Sequence, residues 1–472
     1  MGQDQCMPKH ILSTLPSLCP FIRVASLLAL LPTLAHADKV DDVVLDSMKK
    51  RIIPGISVAV IRDGKVVKMK GYGFANLEHR VKVTPDTIFQ SGSVGKMFTA
   101  ALVMKLVEDG KVKLDASIRQ YLPSAPATWE KVTVRHLLGH TSGLADPYDK
   151  LDMRKDYTED ELLKIEGEIP LGFQPGEQWS YSNTGYHVLG FLCSKVGGSF
   201  YGDQLMTRIF APANMKTARI ISEADIVMNR AAGYQIIDNK PFNQTWVAPK
   251  LNTTADGSLY LTIKDMVNWN AALDDDKVLS KSIKNQMWTS GVLNDGRKTD
   301  YGFGWQLGPV NNRKHVGHSG AWQGFRTCIM RFPDDKLAVI VLTNSDSAEP
   351  GKLAQNIAGC YVPALARVPL VAIPDTAPEV TSILMKLLDG DADTAQKLMT
   401  EEMWNAVTKE GFEGFIKELK EFGERNLVVP VRIRADKKRV TYRVRYGKES
   451  RLITIVLNEK GLIQGMGNQD DD

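Results

Sequence analysis

Phe89-Gln90-Ser91-Gly92-Ser93-Val94-Gly95-Lys96-Met97-Phe98 joins a turn of small side chains to an apolar stretch that continues to Glu108. That stretch predicts a buried helix, and if Ser93 begins it, Lys96 lies one turn further along the same face. A serine hydroxyl attacks a carbonyl when a base takes its proton, and a lysine serves when its surroundings lower its pKa. Ser93 and Lys96 are therefore a candidate nucleophile and base, although a capping serine with a surface lysine gives the same spacing.

A second segment, from Pro175 to Tyr186, places Tyr181 and Asn183 two residues apart in a loop before another predicted helix. Side chains two apart in extended backbone project to the same side. We expect Tyr181 to share a proton with Lys96 and pass it to a leaving group, and the Asn183 amide to hold a substrate carbonyl. A packed tyrosine and a turn-forming asparagine are the alternative.

The third segment runs from His315 to Trp322 and opens a predicted strand. A flanking glycine lets a strand backbone approach a substrate, so the N–H groups of Ala321 and Ser93 are predicted to form an oxyanion hole. His318 is expected to face the same cleft, with a structural histidine as the alternative. The substrate-binding residues predicted from these two segments are Asn183, His318, Ser319 and Gly320.

Together, Ser93-x-x-Lys96, Tyr181-x-Asn183 and His318-Ser319-Gly320 resemble the three motifs of penicillin-recognising serine hydrolases. The order and intervals are similar to those of the branch that contains class C β-lactamases, D-Ala-D-Ala carboxypeptidases, D-aminopeptidases and β-lactamase-like carboxylesterases. The resemblance covers about Asp41 to Ser347. The supporting stretches are Val134 to Leu144, Gly257-Ser258 and Tyr301 to Trp305.

The resemblance implies a β-lactamase-like α/β (α+β) fold, an antiparallel sheet flanked by helices, with the site between it and an inserted helical lobe. It also implies acylation of Ser93, assistance by Lys96 and Tyr181, and hydrolysis by water, with no metal or organic cofactor. Which of Lys96 and Tyr181 is the acylation base stays open. His318 stands where β-lactamases usually have Lys, which favours a carboxylesterase or D-amino-acid peptidase. A β-lactamase and a catalytically silent sensor or interaction protein are the alternatives.

The strand pattern supports one hydrolase domain over residues 38–366. Gly55 to Ile61 and Lys65 to Lys70 flank Asp63-Gly64, a hairpin signature, and Gly324 to Phe332 pairs in the same way with Leu337 to Leu342. Helical stretches lie between these two hairpins. Sheet strands at both ends of the region and helices in its middle predict a helical lobe inserted in an antiparallel sheet.

After a proline-punctuated linker, residues 367–378, a small C-terminal α+β domain is predicted over residues 379–472. At the level of fold it resembles the NTF2-like or cystatin-like group. Its predicted helices are Val380 to Leu388, Thr394 to Val407 and Phe412 to Phe422, and its predicted strands are Val428 to Arg434, Val440 to Tyr446 and Leu452 to Leu457. Alternation places Arg432, Arg434, Arg443 and Arg445 on one face. That face is either a solvated basic surface or a surface for an anionic polymer or substrate, with cell-wall polymer as the expected partner.

Composition narrows the classes of function. The 472 residues carry a formal charge of +4, too small a surplus to indicate a nucleic-acid partner, and a small-molecule or peptide substrate is expected. No metal-ligand motif is present. Residues 1–37 resemble a signal peptide with an apolar core at Val24 to Leu34 and cleavage before Asp38, which predicts a periplasmic or secreted protein without a stable membrane span. An N-terminal membrane anchor is the alternative.

Cysteine is sparse. Cys6 and Cys19 fall in the predicted signal peptide, which leaves Cys193, Cys328 and Cys360 in the mature chain. An oxidising compartment permits at most one pair among these three, and none of them lies in a catalytic motif. Core packing is therefore expected to stabilise the chain.

Overall fold

The computed structural model describes residues 31–147, 150–220, 222, 224–257, 259–447 and 449–471. Ser258, Cys6, Cys19 and most of the predicted signal peptide lie outside these residues. The first described helix, Leu31–Arg51, runs through the predicted cleavage point before Asp38, and export stays a prediction. None of the helices in the described ranges combines the length and apolarity needed to cross a bilayer.

The chain divides into two compact units, one ending at Arg367 and one starting at Val368. The strands of the first unit are β1 (Gly55–Arg62), β2 (Lys65–Asn76), β3 (Val81–Lys82), β4 (Ile88–Gln90), β5 (Tyr234–Ile237), β6 (Lys240–Asn243), β7 (Tyr260–Thr262), β8 (Val316–Trp322), β9 (Phe325–Phe332) and β10 (Leu337–Thr343). Its helices are Leu31–Arg51, Lys96–Glu108, Val134–Leu138, Glu159–Gly167, Asn183–Gly197, Tyr201–Leu205, Ile263–Asp274, Lys281–Met287 and Pro350–Tyr361.

Six of these strands form an antiparallel sheet in the order β3-β2-β1-β10-β9-β8. The first and last strands of the unit are neighbours, with Val58 opposite Val341. Asp63 and Gly64 join β1 to β2 with φ of 50° and 72°, the left-handed backbone that a tight hairpin turn needs. Both predicted hairpins and the predicted antiparallel sheet are confirmed.

Both faces of the sheet are covered, which explains why β1 is buried along nearly its whole length. Val58 and Val60 pack with residues of the helices Leu31–Arg51 and Pro350–Tyr361. Ala59 points to the other face and joins the larger core, which includes most of the helix Lys96–Glu108. Because that helix is buried within the lobe, its first turn is held firmly beside the sheet.

The second unit contains the helices Pro378–Asp389, Ala392–Leu398, Glu401–Val407 and Lys409–Glu421 and the strands β11 (Arg425–Ile433), β12 (Arg439–Tyr446), β13 (Ser450–Leu457) and β14 (Ile463–Asp470). The strands form an antiparallel sheet in chain order. Two details differ from the sequence prediction. The helix predicted from Thr394 to Val407 is broken at Met399, because Thr400 caps a new helix by accepting from the Met403 N–H. The strand β14 was not predicted, since its glycines and polar residues hide the alternation.

The predicted basic face of this unit is partly neutralised. Arg443 pairs with Asp471 at 2.8 Å between Nη2 and Oδ1, and Arg434 pairs with Asp436. Arg432 and Arg445 are exposed. Contact with a cell-wall polymer stays a prediction.

In the first unit, Cys193, Cys328 and Cys360 are all free thiols.

Candidate active site

Ser93 lies in a single 3-10 turn, Gly92–Gly95, and the α-helix begins only at Lys96. The predicted pairing nevertheless forms, with Lys96 Nζ 3.2 Å from Ser93 Oγ. Lys96 is fully buried, and Nζ also donates to Asn183 Oδ1 at 2.6 Å and to the Asp256 backbone oxygen at 2.5 Å. Three acceptors match the three donors of an ammonium, so the amine is directed to the nucleophile from two fixed points.

Tyr181 borders the same group without a hydrogen bond to it. Its ring lies under the amine, with Lys96 Nζ 4.9 Å from the ring centroid. Its hydroxyl is buried and has no hydrogen-bond partner among the described residues. Direct proton sharing between Tyr181 and Lys96 is therefore not formed in this structure, and the described residues leave the hydrogen-bonding capacity of the Tyr181 hydroxyl unused.

Asn183 is the first residue of the helix Asn183–Gly197, and its amide is used within the protein. Its oxygen accepts from Lys96, and its nitrogen donates to Asp146 Oδ2 at 2.9 Å. The other Asp146 oxygen accepts from the Thr184 N–H at 2.9 Å, at the positive end of that helix. In this structure Asn183 thus holds the lysine, and its predicted contact with a substrate carbonyl stays a prediction.

His318 lies on β8, and its side chain is also directed inward, with 2% of the residue exposed. Nδ1 lies 2.6 Å from the Ser319 backbone oxygen and Nε2 lies 2.8 Å from the Tyr301 hydroxyl. A carbonyl only accepts, so a neutral imidazole carries its proton on Nδ1 and accepts from Tyr301 at Nε2. Both nitrogens are thus engaged, although His318 borders the cleft as predicted.

Two glycines bring the nucleophile turn and β8 together. A Cβ on Gly320 would lie 2.1 Å from the Ser91 backbone oxygen, and a Cβ on Gly92, whose φ is +50°, would lie 2.5 Å from the Ala321 nitrogen. Only glycine permits this approach. The backbones of Ser93 and Ala321 therefore lie side by side, which is the arrangement expected of the predicted oxyanion hole.

A cleft of about 460 Å³ opens over these groups. Among the predicted site residues it is lined by Ser93, Tyr181, His318, Ser319, Gly320 and Ala321. Lys96 and Asn183 lie beneath its surface. The wall of the cleft also contains three charged residues outside the predicted motifs, Arg326, Glu349 and Lys352. Glu349 and Lys352 form an ion pair at 2.9 Å, so the cleft presents both signs of charge. The described residues hold no group of three or more His, Cys, Asp or Glu side chains suited to a metal ion.

His140 supports the site, a role that its sequence context does not predict. Its buried ring stacks on Tyr181 with centroids 4.2 Å apart, and its Nδ1 accepts from the Ser182 N–H at 3.2 Å. His140 and Tyr301 lie in two of the stretches that support the family resemblance, Val134 to Leu144 and Tyr301 to Trp305. The resemblance assigns neither residue a role. The sequence therefore indicates that these stretches belong to the site. It does not indicate which of their side chains contacts which motif, because that depends on the fold.

His318 provides a test of these contacts through acid stability. Burial lowers the pKa of His318 from 6.5 to about 3, and the Lys96 charge acts in the same direction. Above pH 6.5, the contribution of neutral His318 to the free energy of unfolding is fully present. Below pH 6.5 this contribution falls as the pH falls, because the histidine takes up a proton only in the unfolded chain. The loss near pH 5 is about 2 kcal/mol. Urea unfolding is expected to show that His318→Gln loses about 2 kcal/mol less than the native protein between pH 7.5 and pH 5.

The exposed His79 supplies the control, since His79→Gln should retain the acid sensitivity of the native protein. Equal acid sensitivity in His318→Gln would mean that folded His318 accepts a proton, contrary to its contacts.

The sequence of this chain is similar to those of known proteins. Residues 40–359 match the family model described as Beta-lactamase. Penicillin-binding protein 4* of Bacillus subtilis (strain 168) is 31% identical over 319 residues, which cover 61% of this chain and 68% of that protein. A D-aminopeptidase of Gluconobacter oxydans (strain 621H) is 29% identical over 314 residues, which cover 65% of this chain and 58% of that protein. The chain therefore spans between 58% and 68% of the length of these relatives.

Solved structures agree with the predicted fold class. D-amino acid amidase from Ochrobactrum anthropi SV3 superposes with a TM-score of 0.61 at 25% identity, over 70% of this chain and 97% of that chain. The octameric penicillin-binding protein homologue from Pyrococcus abyssi has a TM-score of 0.63 at 24% identity, over 92% of this chain and 97% of that chain, and is similar in fold. With the family model matched over most of its length and the serine and lysine in contact, the chain belongs to the β-lactamase family and is a serine hydrolase.

Proposed function

We propose that this protein is an exported serine hydrolase that forms an acyl-enzyme on Ser93 and hydrolyses an ester or an amide. The observation that carries the proposal is the 3.2 Å contact between Lys96 Nζ and Ser93 Oγ, at the edge of a cleft that also meets the Ala321 backbone. A nucleophile, a base and paired backbone donors are the three parts that acyl transfer requires.

The steps follow from these positions. Ser93 Oγ bonds to the substrate carbonyl carbon while its proton passes to a base, and the Ser93 and Ala321 N–H groups stabilise the oxyanion. Collapse of the tetrahedral intermediate breaks the bond to the leaving alcohol or amine, which takes up the proton. Water then attacks the acyl carbon, releases the acid and restores the Ser93 hydroxyl. An ammonium has no lone pair, so Lys96 is the base only in its neutral form, and otherwise Tyr181 is.

The relatives favour an amide or peptide of a D-amino acid as substrate, since a D-aminopeptidase and a D-amino acid amidase are among them. A carboxylic ester is the second candidate within the same chemistry. β-Lactam hydrolysis is less favoured because His318, where β-lactamases usually have Lys, is held neutral by burial, which lowers its pKa to about 3. The third motif therefore supplies no positive charge to the cleft.

Labelling and hydrolysis together test this proposal. A fluorophosphonate probe should label the purified native protein and leave Ser93→Ala unlabelled. In parallel assays, a D-amino-acid amide, p-nitrophenyl butyrate and a chromogenic cephalosporin should be hydrolysed in decreasing order. Absence of any label on the native protein would support a catalytically silent protein, and fastest turnover of the cephalosporin would support a β-lactamase.

Export is proposed from the sequence of residues 1–37. Expression of the full chain in a Gram-negative host, followed by fractionation and N-terminal sequencing, should give a periplasmic protein that begins at Asp38. An uncleaved chain in the membrane fraction would support the anchored alternative.

A further inference from the structure

Three ionisable side chains meet beneath the site, and none of them lines the cleft. His187 Nδ1 lies 2.6 Å from Glu166 Oε1, and its Nε2 lies 3.1 Å from Asp256 Oδ1. Glu166 has no exposed side chain, and the side chains of His187 and Asp256 are 9% and 14% exposed. Burying charge in this way is costly unless each group is paired. The burial of these three ionisable groups therefore needs a structural or functional explanation.

The acceptors around the imidazole define its state. Each ring nitrogen faces a carboxylate oxygen, and carboxylates only accept, so both nitrogens donate in an imidazolium. Although burial opposes the charged form, Asp256 and Glu166 raise the pKa of His187 to about 10. Burial raises the pKa of Glu166, whereas His187 and Lys96 hold the pKa of Asp256 low despite its burial. His187 thus joins two acids in a single hydrogen-bonded unit.

This unit reaches Lys96 through the backbone. The carbonyl oxygen of Asp256 accepts from Lys96 Nζ at 2.5 Å, while its carboxylate is held by His187 and by the Thr254 hydroxyl at 2.7 Å. The next residue packs on the nucleophile turn, since a Cβ on Gly257 would lie 2.8 Å from the Ser93 nitrogen. A shift of this segment would move both the lysine acceptor and the turn that carries Ser93.

The helix Asn183–Gly197 completes the connection. Asn183 and His187 are four residues apart, so they lie on the same face of this helix. Asn183 supplies one acceptor of Lys96, and His187 fixes the residue that supplies another. One rigid helix therefore sets the distance between two of the three acceptors around the amine.

We propose that His187 is a positioning residue for the acylation of Ser93: braced by Glu166, it holds Asp256 so that the Asp256 carbonyl directs the Lys96 amine to the serine. The inference rests on the proposed function, because it concerns the rate at which Ser93 is acylated. A misplaced reacting group costs as much as about a hundredfold in rate. His187 does not line the cleft, so its loss should affect the covalent step and leave probe binding unchanged.

The test uses the full-length protein and a fluorophosphonate probe, with the maximal labelling rate and the half-saturating probe concentration measured separately. His187→Gln should lower the maximal rate about tenfold to a hundredfold with the same half-saturating concentration. Glu166→Gln, which removes the negative charge beside His187 but keeps the size of the side chain, should lower the rate in the same direction. Glu166→Gln also tests the inference by itself if His187→Gln does not fold.

The matched control is His136→Gln. His136 is a half-buried histidine that accepts from the Thr133 N–H in a helix cap and does not line the cleft. It should label at the native rate even where its melting temperature falls as far as that of His187→Gln. Labelling of His187→Gln within twofold of the native rate, a change confined to half-saturation, or an equal loss in the control would overturn the inference. Failure of the native protein to label at all would instead remove the proposed function.

Discussion

Ser93→Ala is expected to lower turnover at least about a thousandfold while the protein stays folded. The loss is large because no other described hydroxyl in the cleft contacts the lysine amine, whereas Ser93 Oγ lies 3.2 Å from Lys96 Nζ. The fold should tolerate the change, since Ser93 is only half-buried. The neighbouring Gly92 and Gly320 are held by close backbone contacts that do not involve the serine hydroxyl. Steady-state kinetics on the best substrate of the panel, with thermal melts of both proteins, measure the two expectations.

Ser194→Ala is the control for this substitution. Ser194 lies outside the cleft and donates to Glu159 at 3.1 Å, so its removal should leave turnover at the native level. Native turnover in Ser93→Ala would place the nucleophile elsewhere and would contradict the acyl-enzyme proposal. A large fall in the melting temperature would show that the turn depends on the hydroxyl.

Local patterns were enough to predict the frame of the hydrolase unit. The Asp63-Gly64 turn between two strand-forming stretches gives β1 and β2, and the apolar run after Lys96 gives the central helix. These features depend on neighbours a few residues apart, which sequence periodicity reports directly. The relation between Ser93 and Lys96 was predictable for the same reason, because one helical turn joins them.

The orientation of the other motif residues depends on distant parts of the chain. Lys96 Nζ contacts Asn183 and Asp256, 87 and 160 residues further along. Because sequence spacing carries no information about such contacts, the contact between Asn183 and the lysine was not predicted. The same holds for His318, whose partner Tyr301 comes from an irregular segment 17 residues earlier. Buried polar groups take the partners that the fold supplies.

Sequence alternation does explain one feature of β8 in retrospect. Ser319 and Ala321 are exposed, whereas His318 and Gly320 are buried, as a strand requires. A histidine on the buried face needs internal partners, and Tyr301 and the Ser319 carbonyl provide them. In the second unit, by contrast, alternation does not reveal a strand. The strand β14 carries two glycines and too few apolar residues for its alternation to be recognised.

Lys96→Met is expected to remove at least about a thousandfold of the acylation rate and to destabilise the protein as well. The activity falls because the amine is the only described side-chain group in hydrogen-bond contact with Ser93 Oγ. The stability falls because methionine fills the space but cannot donate the Lys96 hydrogen bonds to the Asn183 amide oxygen and the Asp256 carbonyl. Leaving the Asp256 carbonyl without this donor costs about 1–3 kcal/mol. Fluorophosphonate labelling and urea unfolding measure the two losses.

Lys105→Met on the same helix is the control, because Lys105 pairs with Glu108 near the surface at 2.7 Å and its loss should change neither quantity appreciably. Tyr181→Phe separates the two candidate bases: it keeps the ring beneath the amine and removes only the hydroxyl. If Lys96 is the base, Tyr181→Phe retains far more labelling than Lys96→Met. If the order is reversed, Tyr181 takes the serine proton and Lys96 supplies charge and orientation. Labelling of Lys96→Met at the native rate would contradict any role for the amine in activating Ser93.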